Sequence, residues 1–591
     1  MRKTKIICTI GPTSESEEVI RRLIMAGMNT ARFNFSHGDH ASHKKKINRV
    51  RDIAEELGQS VAILLDTKGP EIRTHNFKDG LVNLYEGDTV DIVSGKEILG
   101  NEKEFSITYD KLSEDVKVGS KILIDDGLVA LEVLEVNPNR VKCLVLNNGT
   151  VSDHKGINLP GIKTQFPALT EKDLDDLKFG IDMGVDIIAA SFIRKADDVL
   201  EVRKALRNFG SEDIILMSKI ENEEGVDNVE EIIKYSDGIM VARGDMGVEI
   251  PLERVPLAQK EIIEMCNKHG KPVVTATQML DSMIRFPRPT RAEVSDVANA
   301  IYDGTDCIML SGETANGRYP IEALQTMDKI AVESEKKIRY EKVFDNIMSM
   351  HVHSVPTAIS LASATTAYEL DASAIITATV SGSTAKNVSR YKPKAPILAV
   401  TPSKSVARRL SIYWGVYPIV STSFKSTDEM IQKTAQLAKE RGFVRNGDLV
   451  VITAGLPINF IGSTNMIKVH LIGEALLQGK SVHNVDKTVS GVIRKVSSFD
   501  AANTICEKGD ILVVNSLTDE YLDILHRISG VIVETNQISS KVLDEIIAHD
   551  IPVVSDATKA LSVLADGTLV KLDAKRSIIL NSEEAGHESL Q

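Results

Sequence analysis

The chain has 591 residues, of which 26% are charged and 42% hydrophobic, and its formal net charge at pH 7 is -13. This length exceeds what one hydrophobic core supports and predicts several domains. The densest positive stretch, Lys44–Arg51, alternates with apolar residues as a solvated helix face does, so we expect no nucleic-acid partner.

The five cysteines are scattered and form no CxxC pair, which favours reduced thiols over a disulfide framework or a zinc site. The amino terminus lacks the apolar core of a signal peptide, and no apolar run reaches the roughly 18 residues that a membrane span needs. We therefore expect a cytoplasmic protein with no membrane partner.

Residues 1–70 alternate short apolar strands with helices, which predicts βαβ units and parallel pairing. Residues 71–168 instead carry short alternating runs separated by Gly, Asn and Asp turns, which predicts an inserted antiparallel β domain without a helix. Alternation of helix and strand resumes at residue 169, where Thr170 and Asp173 form a predicted N-cap. Eight predicted parallel strands in all indicate a (β/α)₈ barrel.

The predicted fold class is α/β, with four domains of which the inserted one is antiparallel β. The predicted divisions are a barrel from 1–70 and 169–345, an inserted β domain at 71–168, and α/β domains at 346–473 and 474–591.

Polar side chains follow several barrel strands at the carboxyl ends, where the sites of such barrels lie. Glu221 and Asp245 follow neighbouring strands, and two carboxylates without histidine or cysteine suit Mg²⁺ rather than zinc. Lys219 can neutralise a migrating phosphoryl group. The alternative is that Glu221 only pairs with Lys219.

Further donors extend this site. Arg32 and Arg73 carry forked guanidinium groups that can clamp phosphate oxygens. The stretch Gly244–Gly247 follows a strand, and we expect its free N–H groups to favour an anion. Four oxygen-bearing side chains suit a monovalent cation, namely Asn34, Ser36, Asp66 and Thr67. The residues alone predict metal-assisted chemistry on a small phosphorylated acid.

Seven motifs together closely resemble those of pyruvate kinases, and they lie at residues 8–12, 32–38, 65–74, 219–222, 242–249, 275–280 and 309–314. The resemblance extends from residue 1 to about 473. It implies the last step of glycolysis, phosphoenolpyruvate + ADP + H⁺ → pyruvate + ATP, and a homotetramer.

The resemblance also implies a role for each matching residue. Mg²⁺ or Mn²⁺ would be held by Glu221 and Asp245, and K⁺ by Asn34, Ser36, Asp66 and Thr67. Phosphoenolpyruvate would be bound and activated by Arg32, Lys219, Ala242, Arg243, Gly244, Asp245 and Thr277. ADP would contact Asn34, His37, Arg73 and Lys155. Glu71 matches the family members that require K⁺.

Residues 354–473 resemble the regulatory domain of the family. Its phosphorylated effector would bind Thr379, Ser381, Gly382, Ser383 and Thr384, unless this stretch is only a capped turn. The matching loop at 455–463 has no arginine for a second phosphate, which favours AMP or a sugar monophosphate over a bisphosphate.

Residues 474–591 resemble the swivelling phosphohistidine domain of phosphoenolpyruvate-using enzymes. Lys541 stands where that family has its histidine, so we predict no phosphotransfer by this domain. Two other functions stay open: a Mg²⁺-dependent aldolase or lyase that acts through an enolate, and a metabolite-binding protein without catalysis. An ADP requirement would distinguish the kinase from the lyase.

Overall fold

The computed structural model of the protein describes residues 1–340, 354–446, 448–457, 462–473, 475–483 and 485–581. Within these residues the chain forms two compact units. The first takes in residues 1–365, 377–425 and 453–466, and the second residues 366–376, 426–452 and the chain from 467 onward. The predicted boundaries at 345/346 and at 474 lie outside the described residues.

The first unit begins with seventeen short strands. In chain order they are β1 Lys5–Thr9, β2 Thr30–Asn34, β3 Ala62–Asp66, β4 Ile72–Arg73, β5 Leu81–Leu84, β6 Thr89–Val93, β7 Glu104–Ser106, β8 Lys121–Ile124, β9 Val129–Asn137, β10 Arg140–Val145, β11 Gly149–Ser152, β12 Gly156–Asn158, β13 Ile187–Ala190, β14 Ile215–Ile220, β15 Gly238–Ala242, β16 Val273–Ala276 and β17 Cys307–Leu310.

Eight of these strands close into a parallel barrel with the order β1-β17-β16-β15-β14-β13-β3-β2. The (β/α)₈ fold predicted from the sequence is therefore confirmed. Every residue of β1, β3, β13, β14, β15, β16 and β17 is buried, because helices cover the outside of such a sheet while side chains fill its inside. In register, Asn34 lies opposite Asp66, and Lys219 opposite Met240.

The chain between β3 and β13 forms a separate seven-stranded sheet with the order β4-β12-β8-β9-β10-β6-β7, and β11 pairs with β5. All pairs in it are antiparallel except β6 with β7, and the alternating residues enclose a core of their own. The predicted absence of a helix here is wrong, because Leu112–Asp115 forms one helical turn. Leu112 is fully buried and anchors that turn to the sheet core.

Helices occupy the segments between the barrel strands and recur in the later part of the chain. They are Glu17–Met25, His40–Glu56, Leu112–Asp115, Glu171–Asp182, Ala196–Asn208, Glu223–Asp227, Val229–Tyr235, Arg243–Glu249, Val255–His269, Arg291–Asp303, Gly312–Ala315, Pro320–Glu335, Val355–Glu369, Ser383–Ser389, Lys404–Arg409, Thr427–Glu440, Phe499–Ile505, Ser540–Ala548 and Ala560–Val563. Short 3₁₀ helices lie at Leu252–Arg254, Asp281–Ile284, Leu410–Ile412 and Asp519–Ile524. Thr170 and Asp173 form the predicted capping box.

The strands expected between residues 374 and 472 are present as β18 Ala374–Ala378, β19 Ile397–Thr401, β20 Val416–Val420, β21 Leu449–Gly455 and β22 Thr464–Leu471. Within the first unit, β19 pairs with β20 in parallel. Buried ion pairs join this part of the first unit to the barrel, for example Arg408 Nε to Asp186 Oδ1 at 2.9 Å.

The second unit contains β23 Ala475–Gln478, β24 Lys480–Ser481, β25 Thr488–Lys495, β26 Ile511–Val514, β27 Gly530–Val533, β28 Val553–Ser555, β29 Leu569–Asp573 and β30 Ile578–Asn581. They form one sheet with the order β23-β30-β29-β25-β26-β27-β28-β24. Apolar clusters lie around Leu512, Val531 and Ile546 and around Ile511, Ile532 and Leu572.

All five cysteines are buried and carry free thiols, as the scattered pattern predicts. Among the helices that the structure describes, none combines the length and apolarity needed to cross a membrane.

Candidate active site

The carboxyl end of β14 carries a buried ion pair. Lys219 and Glu221 flank Ile220, the last residue of the strand, and alternate residues of a strand leave it on the same side. Lys219 Nζ lies 2.9 Å from Glu221 Oε1, and the two residues are only 8% and 1% exposed. Removing either charge would leave the other buried without this partner, which is strongly destabilising.

Neighbouring strand ends add partners to this pair. Lys219 Nζ also lies 3.0 Å from Asp66 Oδ1, at the end of β3, and donates to Ser191 Oγ at 2.7 Å, just after β13. Arg32 of β2 donates from Nε to Asp66 Oδ2 at 2.6 Å. The structure thus brings together Arg32, Asp66, Lys219 and Glu221, which the sequence placed at this rim.

These contacts and burial shift the pKa values of Lys219, Asp66 and Glu221. Burial opposes the charge on Lys219, but the carboxylates of Asp66, Glu221 and Asp245 outweigh burial and raise the lysine pKa. Burial would also raise the pKa of Asp66, yet Lys219 and Arg32 lower it. For Glu221, burial raises the pKa, Lys219 opposes the rise, and Asp245 adds to it. A further cation beside Glu221 would favour its charged form.

Asp245 lies in the first turn of the helix Arg243–Glu249, which begins directly after β15. The strand stops at Ala242, so Asp245 lies three residues beyond its end. The expectation that the turn has free N–H groups is wrong for Gly244, whose N–H donates to Thr277 Oγ1 at 2.7 Å. Thr277 therefore occupies the donor that an anion could use.

Thr277 has an unusual backbone, with φ of +65°, and φ of the next residue, Gln278, is +53°. A β-branched residue in the left-handed region is strained, at a cost on the order of 1–3 kcal/mol. The strain places the Thr277 hydroxyl between the carbonyl of Ala276, at 2.7 Å, and the N–H of Gly244. Such strain concentrates at functional sites.

The side chain of Arg243 contacts the protein rather than open space. Its Nη1 donates to Asp296 at 2.8 Å, and its Nη2 donates to the carbonyl of Thr277 at 2.8 Å. This guanidinium therefore holds the loop that carries Thr277. Its charge is therefore engaged within the protein, at Asp296 and the Thr277 carbonyl.

The donor types at the predicted cation positions fit hard cations. Glu221 and Asp245 offer carboxylate oxygens, as Mg²⁺ and Mn²⁺ prefer. Burial and Asp245 raise the pKa of Glu221, whereas Lys219 opposes the rise. Asn34, Ser36, Asp66 and Thr67 offer one amide, two hydroxyls and one carboxylate on adjoining strands, and Asn34 Oδ1 accepts from the N–H of Ser36 at 3.1 Å.

A cavity of about 390 Å³ opens beside this cluster, between the barrel and the inserted sheet. It is lined by charged residues from both, including Arg73, Asp126, Lys155, Asp245 and Glu249. The sheet and the barrel are joined across it by Asn158 Nδ2, which donates to Glu249 Oε1 at 2.7 Å. The cavity is thus a cleft between the barrel and the inserted sheet.

The predicted nucleotide contacts divide into two groups. Arg73 and Lys155 line the cavity, and both are paired: Arg73 Nε donates to Glu71 at 2.7 Å, and Lys155 Nζ lies 3.0 Å from Asp125. His37 is exposed and is not among the residues that line the cavity. Asn34 lies within the barrel rim instead.

The candidate effector loop is compact. Gly382 has φ of +85°, and its N–H donates to Thr379 Oγ1 at 3.0 Å. Ser381 Oγ donates to Ser383 Oγ at 3.1 Å, and the Thr384 hydroxyl lies 2.7 Å from that of Thr464. Gly382 is the N-cap of the helix Ser383–Ser389, and no side chain caps that helix, so the hydroxyls of this loop bond to one another and to Thr464. Residues 458–461 of the second loop lie outside the described residues.

Three cavity residues were missed in the sequence. Asp125 and Asp126 occupy a turn with φ of +55° at both, and Glu249 ends the helix after β15. Burial raises the pKa of Glu249, as do Asp245 and Glu223. The Asp-Asp-Gly turn signal was visible in the sequence, but nothing local indicated that it faces the cavity.

Three parts of the chain match known protein families. Residues 1–324 match the family "Pyruvate kinase, barrel domain", residues 357–470 match "Pyruvate kinase, alpha/beta domain", and residues 506–577 match "PEP-utilising enzyme, mobile domain".

Similar proteins extend over nearly the whole chain. Pyruvate kinases of Staphylococcus aureus (strain MRSA252) and Staphylococcus haemolyticus (strain JCSC1435) are each 49% identical, over 98% of this chain and 99% of theirs. A crystal structure of a pyruvate kinase from Cryptosporidium parvum superposes with a TM-score of 0.77 at 42% identity, over 80% of this chain and 96% of that one. The predicted kinase function is confirmed over the lyase alternative, and the chain belongs to the pyruvate kinase family.

Proposed function

We propose that the protein transfers the phosphoryl group of phosphoenolpyruvate to ADP, with the buried Lys219 cluster as the reaction centre. The observation that carries the proposal is the position of Lys219 Nζ, within 3.0 Å of Asp66, Glu221 and Ser191 at one barrel rim. An ammonium fixed by three acceptors needs little reorganisation when charge moves past it.

The phosphoryl group would lie between Lys219 and the forked donors of Arg32 and Arg73. The bond between phosphorus and the enol oxygen breaks, and a bond to an oxygen of the ADP β-phosphate forms. Such transfers depend mainly on positioning and charge neutralisation. The enolate left behind takes one proton and becomes pyruvate.

The carboxylate of phosphoenolpyruvate would bind at the start of the helix Arg243–Glu249, where N–H groups and the helix dipole favour an anion. This requires the Thr277 hydroxyl to release the N–H of Gly244, which it now accepts at 2.7 Å. Thr277 would then donate to the substrate. Arg243 would keep this loop in place through Asp296 and the Thr277 carbonyl.

Mg²⁺ or Mn²⁺ would be held by Glu221 and Asp245, and K⁺ by Asn34, Ser36, Asp66 and Thr67. These cations would neutralise substrate oxygens as charge is redistributed. Their assignment rests on donor type and on the raised pKa of Glu221. The Glu71 carboxylate accepts from Arg73 at 2.7 Å and so offsets the charge of that guanidinium. K⁺ would then supply positive charge beside Arg73.

The inserted sheet would act as a lid over the ADP site, with Arg73 and Lys155 as phosphate contacts. We also propose the four-domain division at 70/71, 168/169, 345/346 and 473/474, a homotetramer, and a regulatory site at residues 379–384 for AMP or a sugar monophosphate. Residues 474–591 would have no phosphotransfer of their own, because the Lys541 ammonium pairs with Asp519 at 3.1 Å and is no phosphoryl carrier.

A coupled assay of pyruvate formation tests the proposal. Turnover should require ADP and Mg²⁺ together, and turnover without ADP would contradict it. Titration with AMP, ribose 5-phosphate and fructose 1,6-bisphosphate in the same assay tests the effector site. Activation by the monophosphates should disappear when Thr384 is replaced by valine, while the activity without effector is retained.

A further inference from the structure

Three ligand-type side chains meet on the surface of the second unit, none of which belongs to the candidate active site. Glu545 and His549 are four positions apart at the end of the helix Ser540–Ala548, so they share one helix face. His526 lies in the turn between the 3₁₀ helix Asp519–Ile524 and β27. Sequence analysis gave no reason to group them.

All three converge on one point. His526 Nε2 and His549 Nε2 each lie 3.0 Å from the same atom, Glu545 Oε1. The two imidazole rings are almost perpendicular, at 88°, with centroids 4.9 Å apart. One ligand atom from each residue lies within 4.8 Å of the other two. Both histidine side chains are 54% exposed, so the point is open to solvent.

These spacings are close to those of a metal centre. With metal–nitrogen and metal–oxygen distances of about 2.0–2.2 Å, neighbouring ligand atoms are about 3.0–3.5 Å apart in octahedral or tetrahedral geometry. The two histidine–glutamate distances already fall at the lower end of that range. Small rotations of the exposed imidazoles would bring the two histidine nitrogens to a similar distance from each other.

We propose that His526, Glu545 and His549 form a binding site for a divalent transition-metal ion, with Zn²⁺ as the representative ligand. Two imidazoles and one carboxylate suit Zn²⁺, Co²⁺ or Ni²⁺, whereas Mg²⁺ prefers oxygen ligands and water. The site therefore selects a different class of cation from Glu221 and Asp245. Water would complete the coordination, because three protein ligands leave positions open.

The ion would join the end of the helix Ser540–Ala548 to the turn before β27. The neighbouring Arg527 is engaged elsewhere, because its Nη2 donates to Asn503 Oδ1 at 2.7 Å. The metal would act as a clamp within this unit.

The test is a Zn²⁺ titration of the metal-stripped, full-length protein against a chromophoric chelator, with Mg²⁺ at saturating concentration to fill oxygen-rich sites. We compare the wild type with His549→Ala and Glu545→Gln. The matched control is His269→Ala, because His269 Nε2 lies 4.0 Å from Glu230 and thus pairs one imidazole with one carboxylate.

The wild type and His269→Ala should bind one more equivalent of Zn²⁺ than His549→Ala. Glu545→Gln should weaken that equivalent by about tenfold or more, since even outer-shell partners of ligands alter metal affinity by about 10- to 100-fold. Co²⁺ should give visible ligand-field absorption that His549→Ala loses. Equal Zn²⁺ binding by all four proteins would overturn the proposal. Circular dichroism checks folding, and Glu545→Gln decides the matter if His549→Ala is unfolded.

Discussion

Replacing Lys219 with methionine is the most direct test of the reaction centre. Methionine approximates the length of lysine but removes the ammonium, and with it the contacts to Asp66, Glu221 and Ser191 at 2.7–3.0 Å. We expect kcat to fall by about 10³-fold, a loss typical of a group that stabilises charge in the transition state.

The contact distance gives the scale of this effect. At the 2.9 Å that separates Lys219 Nζ from Glu221, two unit charges interact by about 6 kcal/mol at an effective dielectric constant of about 20. Only the part that develops between the ground state and the transition state lowers the barrier. If that part is about two-thirds, about 4 kcal/mol, the rate changes about 10³-fold, since about 1.4 kcal/mol corresponds to tenfold.

The assay is steady-state pyruvate formation with phosphoenolpyruvate, ADP, Mg²⁺ and K⁺. Lys392→Met serves as the control, because Lys392 Nζ is also a buried ammonium, 2.9 Å from Asp306, but lies outside the site. Urea unfolding of both variants separates loss of stability from loss of catalysis. The effect of Lys219→Met should appear in kcat, while Mg²⁺ binds at least as well, since a competing cation beside Glu221 is gone.

Two results would refute this reasoning. If Lys219→Met retains more than about a tenth of the wild-type kcat, the ammonium does not stabilise the migrating group. If Lys392→Met loses kcat equally while folded, the loss reflects removal of any buried lysine.

Three further predictions follow from the structure. Asn158→Ala removes the hydrogen bond between the inserted sheet and Glu249, and the loss of about 1 kcal/mol should raise the KM for ADP about fivefold. An unchanged KM would show that this hydrogen bond does not contribute to ADP binding. Burial raises the folded-state pKa of Glu249, so the wild type loses unfolding free energy as pH rises above 4.5 and the carboxyl ionises. Glu249→Gln does not titrate and should therefore become more stable relative to the wild type as pH rises. Denaturant melts at pH 4 and pH 8 would measure this, and an equal stability difference at both pH values would contradict it. A protein ending at residue 473 should retain activity, because 96% of the Cryptosporidium parvum pyruvate kinase structure aligns with only 80% of this chain. Complete inactivity of the folded truncation would contradict this prediction.

The barrel and the centre of the site could be predicted from the sequence because their signals are local. Lys219 and Glu221 stand two residues apart at the end of a fully buried strand, so a strand's alternation alone places both on one side. Asp66 ends β3, and Arg32 lies two residues before the end of the neighbouring β2. Parallel closure of the barrel then brings these three strand ends to one rim.

The remaining contacts depend on tertiary packing. Asn158 and Glu249 are 91 positions apart, and neither follows a pattern that indicates the other. The strand Thr488–Lys495 was missed because Gly491 interrupts its alternation. A Cβ at Gly491 would lie 2.3 Å from the carbonyl oxygen of Gly509, so only the close approach of the two segments explains the glycine.

Charge balance connects the buried cluster to the proposed need for a divalent cation. Arg32 and Lys219 carry two positive charges, whereas Asp66, Glu221 and Asp245 carry three negative ones, which leaves the cluster with one net negative charge. An anionic substrate would be repelled from such a site. One divalent cation between Glu221 and Asp245 reverses the balance to one net positive charge, and it does so beside the carboxylate whose pKa burial and Asp245 raise. Metal and phosphoenolpyruvate should therefore bind with positive coupling, each increasing the affinity for the other by the same factor.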